Sequence, residues 1–142
     1  MIDSLKVLFC SRGKVDTGTE GEELAAAWLR RERAFSIVTR NWRNPRDRRE
    51  EIDLIGRDQD TLVFVEVKAR EPGALVPGFF AVNERKKRVL RRAIRSYLAR
   101  LPAKPRTFRF DVVEVILPPG GVRPPEILHF ENVALFSKSF RG

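Results

Sequence analysis

A glutamate and a lysine stand where a strongly apolar run of the sequence ends. Leu62 to Val65 contains no polar residue, and Glu66 and Lys68 follow it. Four consecutive apolar residues are typical of a β-strand that is buried on both faces. Residues two apart in a strand project from the same face, so this spacing predicts that the two charged groups lie side by side. Because burying a charge is costly, the pair indicates a functional site, with a surface ion pair on an ordinary strand as the alternative.

A second acidic residue, Asp53, lies on the preceding apolar run. Glu51 to Gly56 and Thr61 to Lys68 flank four polar residues, a pattern that predicts an antiparallel hairpin. Strict alternation along the first strand puts Asp53 on one face and its two neighbours on the other. Asp53 then lies directly or diagonally opposite Glu66, about 5 to 8 Å away between side-chain origins.

Two carboxylates at that separation favour a bound cation. They repel each other and raise one pKa unless a positive charge lies between them. A hard divalent cation such as Mg²⁺ takes oxygen ligands and keeps several waters, so Asp53 and Glu66 are candidate metal ligands. The Lys68 ammonium beside them would position a water or offset negative charge that develops on a phosphate.

Cationic residues are concentrated in the second half of the chain. The 142 residues include 28 Lys and Arg against 19 Asp and Glu, a formal net charge of +9. Residues 1–70 carry 14 basic and 13 acidic side chains, residues 71–142 carry 14 and 6, and Arg85 to Arg109 holds eleven basic residues and no acid. Such one-sided charge is typical of a face that binds a polyanion, and a merely solvated face is the alternative.

Hydrophobic periodicity predicts the elements that must hold these residues. Leu24, Ala25, Trp28 and Leu29 indicate a first helix from Thr17 or Thr19 to about Arg33. Further along, the patterns predict a strand at Phe35–Trp42, a loop at Asn44–Glu50, the hairpin, a loop at Glu71–Gly78, a helix capped by Asn83 that reaches about Leu101, a strand at Phe108–Leu117, and a last strand or pair at Ile127–Phe136. The order α-β-β-β-α-β-β suggests a mixed sheet with helices packed on it.

Composition excludes several classes of protein. The single cysteine, Cys10, rules out an intramolecular disulfide and a Cys-based zinc site, which favours a reducing cytoplasm. No apolar run approaches the ~18 residues of a transmembrane helix, and Met1 to Leu8 is not a secretory signal, so no membrane association is expected. Ten Phe and two Trp can build a core. We expect a loose leader at 1–16 and a single domain at 17–142.

Six segments together resemble a known bacterial family. They are Gly18-x-x-Gly21-Glu22-x-x-Ala25, Asn41-Trp42-Arg43, Glu51-Ile52-Asp53-Leu54-Ile55, Phe64-Val65-Glu66-Val67-Lys68-x-Arg70, Lys86 and Arg109-Phe110-Asp111-Val112. In order and spacing they look like the uncharacterised endonuclease-like proteins called the YraN or UPF0102 family. That family is similar to archaeal Holliday junction resolvases and belongs with the PD-(D/E)xK nuclease superfamily.

The resemblance implies a restriction-endonuclease-like core, an α/β fold with a mixed central β-sheet flanked by helices. In that superfamily an acid on the first helix, an acid on one strand and the Glu-x-Lys of the next strand form a metal-dependent site that cuts phosphodiesters. Carried onto this chain, the catalytic residues are Glu22, Asp53, Glu66 and Lys68, and the three acids are ligands of Mg²⁺ or Mn²⁺. Glu22 shares the core side of its helix with Ala25 and Leu29, but it also fits a capping box with Thr19.

One position departs from the family pattern. The family usually has glycine immediately before the Glu-Ile-Asp segment, and this chain has Glu50. A bulky acid there would change the loop that enters the site or add negative charge, and so weigh against full activity.

Several cations are candidates for contacts with a nucleic-acid backbone. On the second helix Lys86 leans toward the sheet, and snorkelling along apolar surface is its alternative role. The candidate set is Arg70, Arg85, Lys86, Arg88, Arg91, Arg92 and Arg95. Trp42 and Tyr97 are expected in the core rather than stacked on bases, Asp111 as a partner of a cation or a structural group, and His129 as a structural residue.

These observations favour a Mg²⁺-dependent endonuclease that acts on DNA, including branched DNA, as a possible homodimer with two sites. A catalytically weak or inactive nucleic-acid-binding module with the same fold is the main alternative. A basic adaptor for acidic proteins is a third, and it would show no preference for DNA over another polyanion of equal charge density.

Overall fold

The predicted sequence of helices and strands is the observed one. A computed structural model describes residues 17–73 and 82–136. Its elements are α1 (Thr17–Arg33), β1 (Ser36–Arg43), β2 (Glu51–Asp58), β3 (Thr61–Arg70), α2 (Glu84–Arg100), β4 (Thr107–Ile116) and β5 (Glu126–Phe130), with a 3₁₀ turn at Pro119–Gly121. The expected leader 1–16 and positions 74–78 of the expected loop lie outside the described residues. In the final predicted region, 127–136, the structure has a single strand.

The five strands form one mixed sheet in the order β1-β2-β3-β4-β5. Only β3 and β4 run parallel, with Glu66 beside Val112 and Lys68 beside Glu114. The other three neighbouring pairs are antiparallel. A parallel pair needs a crossover connection, and α2 lies in the segment that links β3 to β4.

The sheet carries one helix on each face, so it has two apolar cores. Ala25, Ala26 and Leu29 of α1 pack with Val63 and Val65 of β3. On the other face, residues from α2, β3 and β4 pack together: Leu90, Ala93, Ile94, Leu98, Phe64, Phe110 and Val112. β3 is buried on both faces along Leu62 to Glu66, as its unbroken apolar run predicts.

The two helices begin differently from each other. Asn83 caps α2 as predicted, and its side chain accepts a hydrogen bond from the backbone N–H of Lys86 at 2.9 Å. The predicted capping box at the start of α1 is wrong, because the helix begins at Thr17 and Thr19 lies inside its first turn. Glu22 is therefore not committed to a cap.

None of the helices in the described part of the chain is long and apolar enough to cross a membrane.

Gly21 lets α1 approach β3 closely. A methyl group added at Gly21 would lie 2.9 Å from Cβ of Ala69, closer than two such carbons approach in folded proteins. Ala69 stands between Lys68 and Arg70 at the end of β3. The contact therefore presses the first turns of α1, including Glu22, against the end of β3 where the sequence places the charged residues.

We expect Gly21→Ala to lower the free energy of unfolding by about 1–2 kcal/mol, because overpacking outweighs the ~1 kcal/mol gain in helix propensity. Urea denaturation measures the loss. Ala69→Gly removes the facing methyl group, so the double variant should recover part of it, as a coupling of at least about 0.5 kcal/mol. Exposed Glu23→Ala is the control, with a change below about 0.5 kcal/mol. A Gly21→Ala protein as stable as the parent would contradict this packing.

Candidate active site

Asp53 lies where β2 and β3 separate. The antiparallel ladder between them ends at the pair Leu54 and Val65. Just beyond it, Oδ2 of Asp53 accepts a hydrogen bond from the backbone N–H of Val67 at 2.8 Å. The side chain thus replaces a ladder hydrogen bond and lies beside the backbone between Glu66 and Lys68.

The simple alternation expected around Asp53 is wrong. Ile52 belongs to the core under α2, whereas Leu54 belongs to the core under α1. Two residues on either side of Asp53 would share a face in a regular strand, so β2 is irregular at this position. The irregularity lies where the pairing of β2 changes: Glu51 and Ile52 pair with β1 alone, whereas Leu54 pairs with both β1 and β3.

Glu66 is a carboxylate that is almost completely buried. Its side chain is 2% exposed, and its Oε1 lies 3.0 Å from Nζ of Lys68 and 3.2 Å from Nζ of Lys86. Lys68 comes from the same strand, two residues on, as the spacing predicts, and Lys86 comes from α2. Oε2 is buried and has no hydrogen-bond partner among residues 17–73 and 82–136. Oε1 of Glu66 is therefore neutralised by two ammonium groups, whereas Oε2 can still accept a further ligand.

Glu22 approaches the same region from α1. It is half-buried whereas Glu23 is exposed, so the predicted facing of the helix is confirmed. Burial raises the pKa of Glu22 most, the hydrogen bond with the Asn41 side chain opposes that shift, and the charges of Glu51 and Glu66 add to it. The structure therefore brings all three predicted acids into one electrostatic neighbourhood, here called the carboxylate cluster (Glu22, Asp53 and Glu66).

The cluster strongly perturbs Asp53. The pKa of Asp53 is raised to about 7: burial is the largest cause, the charges of Glu66 and Glu22 add to it, and the Val67 N–H and Lys86 oppose the rise. Mutual repulsion of carboxylates and loss of hydration are the conditions under which a divalent cation binds favourably.

The carboxylate cluster fits a metal ion only with the help of water. In the described ranges, no three His, Cys, Asp or Glu side chains converge closely enough to hold a metal ion by themselves. Mg²⁺ commonly uses one or two carboxylates and several waters, so Asp53 and the unpartnered Oε2 of Glu66 are a suitable pair. Glu22 would then act through a bound water rather than as a direct ligand.

Sequence reasoning missed one buried acid, Glu114. It lies on β4 directly beside Lys68, its side chain is 0% exposed, and it forms an ion pair with Arg70. Its Oε2, like that of Glu66, is buried without a partner in the part of the chain that the structure describes. The available signal was the one used for Glu66: an acid inside an apolar run, Val112 to Ile116.

The predicted cations separate into engaged and exposed groups. Arg70, a candidate for a phosphate contact or a strand-end surface charge, forms an ion pair with the buried Glu114. Arg91 is half-buried rather than solvated, because it donates a hydrogen bond to the carbonyl of Leu135 at 3.0 Å. The remaining candidates on α2 pair with Glu50 (Arg92), lie over the Phe136 ring (Arg95), contact Glu66 (Lys86) or are exposed (Arg85 and Arg88).

Glu50 does not add charge to the carboxylate cluster. It is 6% exposed and accepts a hydrogen bond from Nδ2 of Asn44 at 2.7 Å. Oγ of Ser96 and Nε of Arg92 lie 3.5 Å and 3.4 Å from its carboxylate, so it is directed at α2. The departure from the family pattern is accommodated by the loop and the helix beside it.

The remaining candidates are structural. Trp42 and Tyr97 meet edge to face with ring centroids 5.3 Å apart and pack against the α2 core, as expected. Asp111 is buried and accepts hydrogen bonds from Arg109 at 3.0 Å and the backbone N–H of Asn132 at 2.9 Å. Nε2 of His129 lies 2.8 Å from the same carboxylate, and the His129 side chain is 2% exposed.

The raised pKa of Asp53 makes stability depend on pH in the metal-free protein. Between about pH 4 and 7 the folded protein keeps a proton on Asp53 that the unfolded chain releases, so the free energy of unfolding falls as pH rises through this window. Asp53→Asn removes this titration. In EDTA at pH 8 we expect the variant to exceed the parent by more than about 1.4 kcal/mol, the value of one pKa unit.

Urea denaturation at several pH values from 5 to 8 tests this expectation. Asp60→Asn, in the exposed turn between β2 and β3, is the control and should follow the parent at every pH. An Asp53→Asn protein whose stability also follows the parent would show that Asp53 is ionised normally.

Comparison with known proteins places the chain in a family. A family model described as "Uncharacterised protein family UPF0102" matches residues 21–115, the span from α1 to β4 that holds the carboxylate cluster and Glu114. The UPF0102 protein of Beutenbergia cavernae is 41% identical over 117 residues, 82% of this chain and 96% of that protein. Those of Nocardia farcinica (41% over 116 residues; 82% and 87%) and Symbiobacterium thermophilum (44% over 104 residues; 73% and 85%) are also similar. The chain therefore belongs to the UPF0102 family.

Proposed function

We propose that this protein is a metal-dependent nuclease that hydrolyses phosphodiester bonds of DNA, including branched DNA. One observation carries the proposal: where β2 and β3 separate, Asp53 binds the backbone N–H next to Glu66 and interacts with the Glu66 charge, while the ammonium groups of Lys68 and Lys86 contact Glu66. Stability alone does not explain a buried acid with an oxygen that has no partner among residues 17–73 and 82–136, because such a group costs about 1–3 kcal/mol.

The architecture supports a restriction-endonuclease-like assignment. A mixed five-stranded sheet has helices on both faces, and the three acids come from α1, β2 and β3 in the order that the sequence resemblance implies. Fold alone does not establish an activity, so the proposal depends on the chemistry of the carboxylate cluster.

The ligands of the ion would be Asp53 and Glu66, with Glu22 acting through water. A bound Mg²⁺ or Mn²⁺ would polarise the phosphate and make a water more acidic. The raised pKa of Asp53 supports this assignment, since a nearby cation would return that carboxyl to its ionised form.

Lys68 is suited to stabilise the phosphate group that is hydrolysed. Hydrolysis forms a bond from a water oxygen to phosphorus, breaks the bond from phosphorus to one sugar oxygen, and leaves that oxygen to take up a proton. Negative charge grows on the phosphate oxygens meanwhile. The Lys68 ammonium, 3.0 Å from Glu66 and about one-third exposed, can donate hydrogen bonds there or orient the water.

The partner and location are parts of the same proposal. The net charge of +9 favours a polyanion, and a cytoplasmic location gives access to DNA. A homodimer would present two carboxylate clusters to two strands, as branched DNA requires.

A second candidate function is a DNA-binding module without turnover. It is favoured by the two ammonium groups on Glu66, which neutralise the buried carboxylate without any metal. Calorimetric titration with Mg²⁺ or Mn²⁺ separates the two, because only the nuclease must take up the ion. Labelled linear and branched DNA and RNA, incubated with and without Mn²⁺, then identify the substrate.

We expect Asp53→Asn and Glu66→Gln each to reduce metal-dependent cleavage by at least about a hundredfold, because each removes one of two direct ligands. Salt-dependent DNA binding, measured in EDTA, should remain within about twofold of the parent. Asp60→Asn is the matched control. Cleavage by Asp53→Asn at the parent rate would show that the carboxylate cluster is not the active site.

The adjacent residues Lys86 and Lys87 provide a second, matched comparison. Lys86 contacts Glu66 at 3.2 Å, whereas Lys87 contacts Glu84 of its own helix at 3.6 Å. We expect Lys86→Met to slow cleavage about tenfold, since Glu66 then lacks one of its two positive partners, and Lys87→Met to leave the rate unchanged. Equal effects of the two substitutions on single-turnover rates would contradict a specific role for Lys86.

A further inference from the structure

A cavity of about 630 Å³ lies between the β1–β2 loop and the first turns of α2, and Lys86, which contacts Glu66, is one of its lining residues. It is here called the basic cleft, and its cationic residues are Arg49 from the loop and Arg85, Lys86, Arg88 and Arg92 from the helix. Asn83 and Val89 complete its lining, so none of the lining residues is acidic.

The basic cleft is continuous with the carboxylate cluster through Lys86. Lys86 is a lining residue of the cleft, and its Nζ lies 3.2 Å from Oε1 of Glu66. A chain of phosphates with one member at the carboxylate cluster would therefore place a neighbouring phosphate against the cationic wall.

The wall contains cations available to a ligand. Arg85 and Arg88 are exposed on α2. Arg49 is 87% exposed and makes two hydrogen bonds to Asp47, both 2.9 Å, which fix its direction and use two of its five N–H donors. Guanidinium groups bind phosphate oxygens through paired N–H groups, so this surface suits phosphodiesters better than isolated carboxylates.

Glu50 fixes the loop that carries Arg49. Its buried carboxylate accepts from Asn44 at 2.7 Å and lies 3.4 Å from Nε of Arg92, and its backbone carbonyl accepts from the Asn44 N–H at 2.9 Å. Nη2 of Arg100 donates to Oδ1 of Asn44 at 3.0 Å, so a second α2 residue holds the other end of the loop. The loop is closed on itself and tied to the helix that it faces.

We propose that the basic cleft binds the stretch of phosphodiester backbone immediately next to the phosphate at the carboxylate cluster. Arg49, Arg85 and Arg88 contact the backbone, and Glu50 is a positioning residue that keeps Arg49 opposite α2. The inference rests on the proposed function for the location of the first phosphate. It makes the preferred ligand an extended polynucleotide rather than a single phosphodiester.

The test is the affinity for a fluorescein-labelled DNA duplex, measured by anisotropy in EDTA over a range of NaCl concentrations. The variant Arg49→Gln/Arg85→Gln/Arg88→Gln is compared with Arg30→Gln/Arg106→Gln/Arg123→Gln, which removes the same charge from exposed positions elsewhere. We expect the cleft variant to bind at least about tenfold more weakly than the control variant and to lower the salt slope by about one or more. Equal affinities of the two variants, or no DNA binding by the parent, would overturn the proposal.

Two substitutions of Glu50 distinguish an effect of its charge from an effect of its position in the loop. Glu50→Ala and Glu50→Gln both raise the net charge by one, but only Gln keeps a side-chain acceptor for Nδ2 of Asn44. We expect Glu50→Ala to weaken DNA binding several-fold and Glu50→Gln to stay near the parent. Tighter binding by both variants would show that charge alone matters and would overturn the positioning role. Thermal melting checks the fold, and the arginine variants decide the cleft if Glu50→Ala does not fold.

The binding assay separates the two proposals because it requires no metal and no cleavage. Weak binding by the cleft variant, with a parent that never cleaves DNA, would support the basic cleft and overturn the nuclease. Cleavage by the parent, with equal binding by both arginine variants, would overturn only the basic cleft.

Discussion

The arrangement depends on one buried anion, the Glu66 carboxylate in the interior strand of the sheet. A single carboxylate with a 2% exposed side chain must be neutralised by groups brought from elsewhere in the fold. Lys68 supplies one positive charge from the same strand, and Lys86 supplies another from the helix on that face. The remaining oxygen has no hydrogen-bond partner among the described residues, and the proposed metal site depends on that oxygen.

The sheet topology brings groups from several elements to that carboxylate. Since β3 and β4 run parallel, their connection crosses the sheet, and the crossover helix α2 brings Lys86 over Glu66. On the other side Gly21 allows α1 to touch Ala69, which brings Glu22 near the end of β3. Where β2 leaves β3, Asp53 takes the exposed Val67 N–H. The irregular strand β2 thus supplies Asp53, the small residue Gly21 lets α1 supply Glu22, and the crossover helix α2 supplies Lys86.

Net charge is a poor guide to which cations meet a ligand. Arg70 neutralises the buried Glu114, Arg91 binds a backbone carbonyl, and Arg92 pairs with Glu50. These arginines have partners within the protein, because a buried acid needs a donor wherever the chain places it. At the basic cleft Arg49, Arg85 and Arg88 are exposed, a small part of the 28 Lys and Arg residues in the sequence. Their arrangement depends on a loop held by an anion, Glu50.

The sequence by itself determined the order of elements, the burial of β3 on both faces, the Asn83 cap and the proximity of Glu66 to Lys68. These features depend on periodicity and on contacts between residues close in the chain, which a local pattern encodes. Only the tertiary structure decided that Asp53 occupies a gap between strands, that Glu114 is buried beside Lys68, and that Glu50 faces α2. Each of those features depends on partners far apart in sequence. A local sequence pattern does not specify which distant donor reaches a given carboxylate.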